Sequence, residues 1–390
     1  MEKRNVPKLR FKGFEDEWKE YRLSDFSQKI IEKNKEFKVK NVISNSAKNG
    51  LIEQKEFFDK DIANKNNLDG YYIIKEGDFV YNPRKSNEAP YGPINMYKIK
   101  RVGVVSPLYF CFRVSDNVNN NYLDEYFKSD KWYKYIYMNS DQGARYDRVS
   151  IKDSEIMKMN IKVPVIEEQT KIANFLSNVD NIIEEQEGKV KDLEQYKKGM
   201  MQKIFKQEVR FKDDNGIDYS AWEEKKLGEI TDIGTGSNDL QDKDNNGLYP
   251  FFVRSKNIER INQYTFDGEA ILIPGDGNIG QIYHYINGKF AYHQRVYKIS
   301  DFKKGVLGKY IYFYMSKFFL KEALKNSVKA TVDSLRLPTL TGMLIKLPCL
   351  EEQRKIANFL SNIDNIIEEE KNKLEDLKLW KKGLLQQMFV

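Results

Sequence analysis

The segment 275–280 reads Gly-Asp-Gly-Asn-Ile-Gly and matches the G-x-G-x-x-G pattern of dinucleotide-binding folds. In those folds the pattern follows a strand and opens a helix, whose N-terminus holds the pyrophosphate. Here residues 281–286 are β-branched and aromatic with an alternating character, which predicts a second strand. We therefore expect an exposed loop between two strands, which another backbone can approach closely, rather than a nucleotide site.

The other catalytic motifs that the sequence suggests are incomplete. Residues 81–84, Tyr-Asn-Pro-Arg, are similar to the Asn-Pro-Pro-aromatic motif of adenine methyltransferases, but Arg84 stands where the second proline belongs. No glycine-rich loop that could hold a methyl donor accompanies them. Glu-x-Lys triplets such as residues 17–19 lack the Pro-Asp that precedes them in nuclease sites, and His284 and His293 have no cluster of acid–base partners. We therefore predict a chain without a catalytic site.

Cysteine and histidine are also too scarce for metal chemistry, with two of each in 390 residues. Cys111 and Cys349 lie far apart, which excludes a disulfide framework and a Cys₄ or Cys₂His₂ zinc site. The N-terminal residues lead into no apolar run, and no stretch approaches the length of a membrane span. The sequence thus predicts a cytoplasmic protein with no metal site and no membrane partner.

The sequence contains an internal duplication, which divides the chain into two similar halves. Residues 161–205 align without gaps on residues 345–389, and 28 of the 45 positions are identical. In each copy, eight of ten positions at alternating spacings of four and three are apolar, which is the seam of a coiled-coil helix. The predicted seam consists of Ile172, Leu176, Val179, Ile183, Val190, Leu193, Ile356, Leu360, Ile363, Ile367, Leu374 and Leu377. We expect the two helices to pair antiparallel; two separate surface helices, each packed on its own domain, are the alternative.

A weaker repeat lies near the start of each half. The matching residues are Leu9, Arg10, Phe11, Lys12, Trp18 and Leu23 in the first half and Val209, Arg210, Phe211, Lys212, Trp222 and Leu227 in the second. Between these anchors and the helices lie two blocks of little similarity, 27–160 and 231–344. Strand patterns and aromatic-rich helical stretches at 122–136 and 309–324 predict an α+β fold for each block.

The surplus of positive charge lies in these blocks. Block 27–160 has 23 basic and 18 acidic residues and block 231–344 has 15 and 11, whereas 161–205 has 7 and 8. This partition favours two domains that contact phosphate, joined by neutral helices. The candidate DNA contacts are polar and basic residues clustered at loops: Asn82, Arg84, Lys85, Ser86, Asn87, Arg145, Tyr146, Arg148, Arg254, Ser255, Lys256, Asn278, His293, Gln294, Arg295, Lys329, Thr331 and Ser334. For any one of them, ordinary solvated surface is the alternative.

Together these motifs resemble the specificity (S) subunit of type I restriction–modification systems. The carrying residues are Pro7 to Phe11 with Trp18 and Leu23, then Pro164, Glu168, Gln169, Lys171, Ile172, Ala173 and Leu176, and the second copies Val209 to Phe211, Trp222, Leu227, Pro348, Glu352, Gln353, Lys355, Ile356, Ala357 and Leu360. Segments 103–107 and 275–280 also look like the family's target-domain patterns. The resemblance covers essentially the whole chain.

The resemblance implies an α+β fold with two globular target recognition domains that contain small twisted sheets. Two long antiparallel coiled-coil helices would join them in a pseudo-two-fold repeat. We predict the first target recognition domain at 1–160, with an anchor at 1–26, and the central helix at 161–205. The second domain is predicted at 206–344 and the C-terminal helix at 345–390.

The resemblance also implies a non-catalytic function. Each domain would read one half of a bipartite, asymmetric sequence in double-stranded DNA, while the helices set the spacer and dock two modification (M) subunits. The M subunits would bind S-adenosylmethionine and methylate adenine, and restriction (R) subunits would use ATP and Mg²⁺, so this chain itself needs no cofactor. An adaptor that binds protein or RNA without reading bases is the second hypothesis, and an enzyme is the third.

Overall fold

The computed structural model describes residues 5–54, 65–141, 146–277, 279–325 and 334–390, which fall into two compact units. Unit 1 comprises Met1–Glu187 and Lys373–Val390, and unit 2 comprises Gly188–Asn372. The predicted domain boundaries follow the sequence repeat, whereas the units divide each of the two long helices between them. In the described parts of the chain, no helix is long and apolar enough to span a bilayer.

Unit 1 is an α+β unit with short strands. Its strands are β1 (Lys19–Arg22), β2 (Ser27–Lys29), β3 (Ile43–Ser46), β4 (Gly50–Glu53), β5 (Tyr72–Ile74), β6 (Phe79–Tyr81), β7 (Ile94–Met96), β8 (Gly103–Val105), β9 (Phe110–Val114) and β10 (Asn160–Val163). Its helices are α1 (Leu23–Phe26), α2 (Asn120–Lys128), α3 (Tyr133–Asn139), α4 (Asp153–Met157) and the first part of α5 (Ile166–Phe205). An antiparallel sheet in the order β2-β9-β6-β7 forms its centre, and β1-β10, β3-β4 and β5-β8 are antiparallel pairs.

Unit 2 repeats this plan around a larger sheet. Its elements are β11 (Glu223–Lys226), α6 (Leu227–Ile230), β12 (Asp232–Thr235), β13 (Tyr249–Phe252), β14 (Ile258–Ile261), β15 (Phe266–Pro274), β16 (His284–Tyr292), β17 (Val296–Ser300), α7 (Gly308–Lys325), α8 (Leu337–Thr341), β18 (Leu344–Leu347) and α9 (Leu350–Met388), which continues into unit 1. The sheet order is β12-β17-β15-β16-β13-β14, antiparallel except for β13 beside β16. The loop 275–283 joins two antiparallel strands, β15 and β16, as the sequence predicts.

The two long helices, α5 and α9, run antiparallel within each unit. Ion pairs join them at Lys381–Asp180 and Lys378–Glu187 (2.8 Å) in unit 1 and at Lys189–Glu370 (2.9 Å) and Lys197–Asp364 (2.5 Å) in unit 2. In each unit, the residue that lies further along α5 pairs with the residue that lies earlier in α9, as expected for antiparallel helices. The antiparallel pairing and the repeat-based fold class are therefore confirmed.

The predicted seam residues face more than the partner helix. All are buried except Ile183, Leu193 and Leu377, which are half-buried. In unit 1, Ile172 and Leu176 share a core with Trp18 of the N-terminal anchor, with Tyr122 of the globular block and with Leu384 of α9. The two arrangements left open by the sequence are thus combined, because the start of each helix packs on its own block and also on the other helix.

The repeated residues build the same anchor in both units, here called the helix anchor. Its ion pairs are Arg10–Glu168, with two bonds of 2.8 Å, and Arg210–Glu352, with bonds of 3.1 and 2.7 Å. Both carboxylates have an exposed fraction of 0%. The end of the opposite helix completes each anchor with a buried ring, Phe389 against Tyr122 in unit 1 and Phe205 against Tyr310 in unit 2.

One predicted helical stretch is divided. Residues 122–136 form α2 and α3, separated at Ser129, whose φ/ψ of −79°/172° is extended. The Ser129 hydroxyl donates to Tyr126 O (2.6 Å) and the Trp132 indole donates to Phe127 O (3.0 Å). These side chains take the carbonyls that a continuous helix would use, so α2 ends there.

Candidate nucleic-acid interface

The same sheet edge in both units brings together two loops that the sequence singled out. In unit 1 the loop after β6 lies beside the segment 146–149, since Val149 N donates to Pro83 O (2.8 Å). In unit 2 the loop after β15 lies beside Ser334 and Leu335, since Leu335 N donates to Gly275 O (2.7 Å). Isolated bridges pair Arg84 with Arg148 and Asp276 with Ser334. We call residues 82–87 with residues 146–149 loop cluster 1. Residues 275–277 with residues 334–335, Arg254 and residues 293–295 are called loop cluster 2.

Loop cluster 1 surrounds an open groove of about 440 Å³. The groove is lined by Ser44, Asn45, Ser46, Ala47, Ile52, Gln54, Asn82, Pro83, Arg84, Lys85, Ser86, Pro93, Ser106, Leu108, Tyr109 and Arg148. Arg84 and Lys85 are exposed, and Arg148 lies 3.7 Å from the carboxylate of its neighbour Asp147. Five candidate residues from distant parts of block 27–160 therefore do converge on one surface.

Asn82 has a structural part in this groove. Its Nδ2 donates to Asn45 O (2.9 Å) and its Oδ1 accepts from Arg84 N (3.1 Å). Asn45 in turn donates to Val80 O (2.7 Å) and accepts from Asn95 Nδ2 (2.6 Å). This amide network fixes the backbone that carries Arg84.

Tyr109 and Leu108 line the groove but were not among the sequence candidates. Burial raises the pKa of the Tyr109 phenol, although Arg84 and Arg148 act in the opposite direction, so the hydroxyl remains a donor at neutral pH. The signal that could have found them is the Ser-Pro-Leu-Tyr turn at 106–109, which joins β8 to β9 next to the basic residues. Tyr146 and Asn87 are exposed nearby, and Arg145 lies outside the described residues.

Loop cluster 2 is organised around an aspartate. Arg295 Nη1 donates to Asp276 Oδ2 (2.9 Å), and Arg254 Nη1 lies 3.3 and 3.2 Å from Oδ1 and Oδ2. Burial alone would raise the pKa of Asp276, but the hydrogen bonds from Arg295 and Arg254 outweigh it and the pKa is lowered. The carboxylate is therefore charged and holds both guanidinium groups.

Glycine permits this arrangement. Gly277 has φ +75°, a conformation that favours glycine, and a Cβ on Gly275 would lie 3.0 Å from Arg295 O. A Cβ on Gly280 would lie 2.9 Å from Leu320 Cα. The predicted close approach of this loop to other backbone is thus present.

His293 and Gln294 hold the backbone of loop cluster 2 in place. The His293 ring is buried, its Nδ1 accepts from Arg295 N (2.9 Å), and its Nε2 lies 3.5 Å from Asp239. Gln294 Nε2 donates to Asp239 Oδ2 (2.7 Å). His293 therefore shapes the loop, and its buried ring is not available to a ligand. The run of three polar residues at 293–295 did not predict this difference between His293 and its neighbours.

The remaining candidates of unit 2 that the structure describes are exposed. Ser255 Oγ donates to Asn257 O (3.1 Å), and Lys256 and Ser334 lie on the surface of the same edge. Asn278, Lys329 and Thr331 lie outside the described residues. Where the chain is described, no group of three His, Cys, Asp or Glu side chains could hold a metal ion. What both clusters present is a set of hydrogen-bond donors, which suits base edges and phosphates.

Comparison with known proteins agrees with this architecture. The family model of the type I restriction modification DNA specificity domain matches residues 15–195 and again 219–379. The chain is 31% identical over 156 residues to the type I restriction enzyme EcoDI specificity subunit of Escherichia coli, which covers 40% of this chain and 34% of that protein. It is 31% identical over 261 residues to the MjaVIII specificity subunit of Methanocaldococcus jannaschii, covering 58% and 60%. The aligned parts span less than two thirds of these relatives.

Solved structures match the fold over nearly the whole chain. The S subunit of a type I restriction–modification system from M. genitalium has a TM-score of 0.61 at 15% identity and covers 99% of both chains. A chain from a study of complex assembly and conformational transition of the type I R-M system has a TM-score of 0.58 at 16% identity, covering 95% and 97%. The resemblance inferred from the sequence motifs and the predicted fold are both confirmed.

Proposed function

Since this chain belongs to the family of type I restriction modification DNA specificity domains, we propose that it is the subunit that recognises the DNA sequence for such a system. The observation that carries the proposal is the pair of loop clusters. A duplicated framework holds them at the same sheet edge, yet their side chains differ, as two readers of unlike half-sites require. Loop cluster 1 would read one half of a bipartite target and loop cluster 2 the other.

The donors in each cluster suit this task. Guanidinium groups can bond two atoms of a guanine edge, and amides can bond two atoms of an adenine edge. Lysines such as Lys85 and Lys256 suit phosphate contacts, which fix the position of the protein without reading sequence. The proposal also places the protein in the cytoplasm, bound to DNA.

Two copies of one partner fit the duplicated helix anchors. We propose that two modification subunits dock on the α5–α9 pair, bind S-adenosylmethionine and methylate adenine, while this chain supplies no cofactor. Restriction subunits with ATP and Mg²⁺ would complete the complex. Each step of chemistry then belongs to a partner, and this chain contributes the choice of site.

A block exchange tests the proposal. Residues 27–160 are replaced by the corresponding block of another specificity subunit, and the methylated motif is read by sequencing the DNA of cells that also carry the modification subunits. The expected result is a changed first half-site with the second half-site and the spacer unaltered. A change in both halves, or in neither, contradicts the proposal.

The helix pair is proposed to set the spacer. Inserting one heptad at 187/188 and another at 372/373 keeps the seam in register and lengthens each helix by about 10 Å at 1.5 Å per residue. The spacer of the methylated motif should lengthen by about three base pairs at 3.4 Å each, with both half-sites retained. Insertions of the same composition into the exposed loop at 213–216, outside the helices, are the control and should leave the spacer unchanged.

A further inference from the structure

Arg295, on the turn between β16 and β17, is held at three points. Its N–H donates to His293 Nδ1 (2.9 Å), its carbonyl accepts from Gly275 N (2.7 Å), and its Nη1 donates to Asp276 Oδ2 (2.9 Å). Nevertheless 63% of its side chain is exposed. An exposed arginine normally loses rotamer freedom when it binds a ligand, whereas this one has lost much of it already.

The supports of Arg295 belong to the sheet. His293 N donates to Phe252 O (2.9 Å) at the end of β13, and Val296 N donates to His293 O (2.9 Å) at the start of β17. The His293 ring is buried against this framework. The strands therefore fix the backbone that carries Arg295, and Asp276 fixes one nitrogen of its guanidinium, a degree of positioning that a group that only neutralises charge does not need.

Asp276 makes a simple phosphate clamp a poor explanation. A carboxylate beside two arginines lowers the local charge from +2 to +1 and repels an incoming phosphate. The acceptors of a base edge are neutral and gain mainly from correct orientation of the donor. Asp276 uses only Nη1 of Arg295, and no residue in the described ranges bonds its Nε or Nη2. That edge is a free two-donor fork, which matches the O6 and N7 acceptors of guanine in the major groove.

We propose that Arg295, oriented by Asp276, reads a guanine in the half-site contacted by unit 2. The inference rests on the proposed function and adds the identity of one base and the residue that selects it. Arg295 is the specificity-determining residue, Asp276 and His293 are positioning residues, and Arg254, whose Nη1 bonds the same carboxylate, is a second guanidinium beside the first.

Binding-site selection tests this inference. The full chain, assembled with its modification subunits, selects ligands from a library of random double-stranded DNA, and Arg295→Lys and Asp276→Asn are compared with the wild type. Lysine keeps the charge but loses the fork, so Arg295→Lys should lose about tenfold to a hundredfold of the preference for guanine at one position. Asp276→Asn should weaken the same preference by a smaller factor. Arg260→Lys, at an arginine that bonds Gly247 O and Leu248 O (3.0 and 3.1 Å), is the matched control.

A modified base supplies a second test. Replacing the selected guanine by 7-deazaguanine removes N7, which should weaken wild-type binding more than binding by Arg295→Lys, because only the arginine fork uses both guanine acceptors at once. Equal loss of affinity for all sequences in Arg295→Lys would identify a phosphate contact and overturn the inference, as would unchanged guanine preference or indifference of the wild type to 7-deazaguanine. If the wild type selects no motif at all, the proposed function itself fails. Retention of the other half-site by the variants shows that they are folded.

Discussion

The two loop clusters occupy the same place in the framework and differ in how their arginines are held. Arg84 of unit 1 corresponds to Asp276 of unit 2, since each is bridged to the segment that precedes α4 or α8. In unit 1, no ion pair within the described residues involves Arg84, whereas in unit 2 the aspartate restrains Arg254 and Arg295. One framework therefore supports a cluster in which Arg84 has no ion pair and a cluster in which an aspartate orients two arginines. The framework determines where the readers lie, and the loops determine what they can read.

The helix anchors show the opposite behaviour, because they are nearly identical in the two units. Arg10–Glu168 and Arg210–Glu352 are ion pairs between a half-buried arginine and a buried carboxylate, joined through the same atoms. They differ at the tryptophan: Trp222 Nε1 donates to Glu352 Oε2 (2.9 Å), whereas the buried Trp18 Nε1 has no hydrogen-bond partner in the described structure. Equivalent substitutions in the two anchors should therefore lower the stability of their own units to a similar extent. Substitutions in a loop cluster should change the recognition of one half-site only.

The largest effect is expected from the rings that close the anchors. Phe389→Ala and Phe205→Ala each remove a ring with at most 2% exposure, so each should destabilise its unit by about 3–5 kcal/mol. Denaturant unfolding followed by hydrogen exchange in each unit measures this. If only one of the two variants lost this much stability in its own unit, the two anchors would not be equivalent.

The ion pairs should have the next largest effect. Glu168→Ala and Glu352→Ala each leave an arginine without its partner, which should cost about 1.5–3 kcal/mol, because the Arg10 and Arg210 side chains are 15% and 24% exposed and water can replace part of the lost bonding. Glu352→Ala also removes the acceptor of Trp222, so unit 2 should lose about 1 kcal/mol more than unit 1 in the same unfolding experiment. Identical losses would contradict the difference between the two anchors.

The salt dependence of binding should separate the two loop clusters. Arg84→Ala removes an unrestrained cation, so we expect weaker binding to all sequences and a decrease of about 1 in the slope of log K against log salt. Arg295→Lys should leave that slope unchanged while it alters sequence preference. Affinities at several salt concentrations, with cognate and random duplexes, check both. The comparison fails if Arg84→Ala changes only sequence preference.

The smallest effect concerns the ionisation of Asp276. Its lowered pKa means that the bonds to Arg295 and Arg254 stabilise loop cluster 2 above the ordinary pKa of an aspartate, and that this contribution is lost as the pH falls through the lowered value. Arg295→Ala should raise the pKa of Asp276 toward its ordinary value, as an NMR titration of the carboxyl carbon would show. An unchanged pKa would mean that Arg295 does not hold the carboxylate.

The sequence predicted the framework better than the sites, for physical reasons. A duplicated 45-residue pattern with regular apolar spacing predicts a helix regardless of its surroundings, and α5 and α9 begin and end close to the expected residues. The break after Lys128 depends on which side chains take the Tyr126 and Phe127 carbonyls, which a pattern does not record. Likewise Asp276 was not a candidate, because its role depends on two arginines that are distant in sequence.

The reciprocal block exchange separates the contributions of the two units to the target. Replacing residues 231–344 with the block of another specificity subunit, while residues 27–160 are left intact, isolates loop cluster 2 from loop cluster 1. Methylome sequencing should then show a new second half-site beside an unchanged first half-site. A motif that changes in both halves, or one that does not change, would contradict the account in which each unit reads its own half of the target.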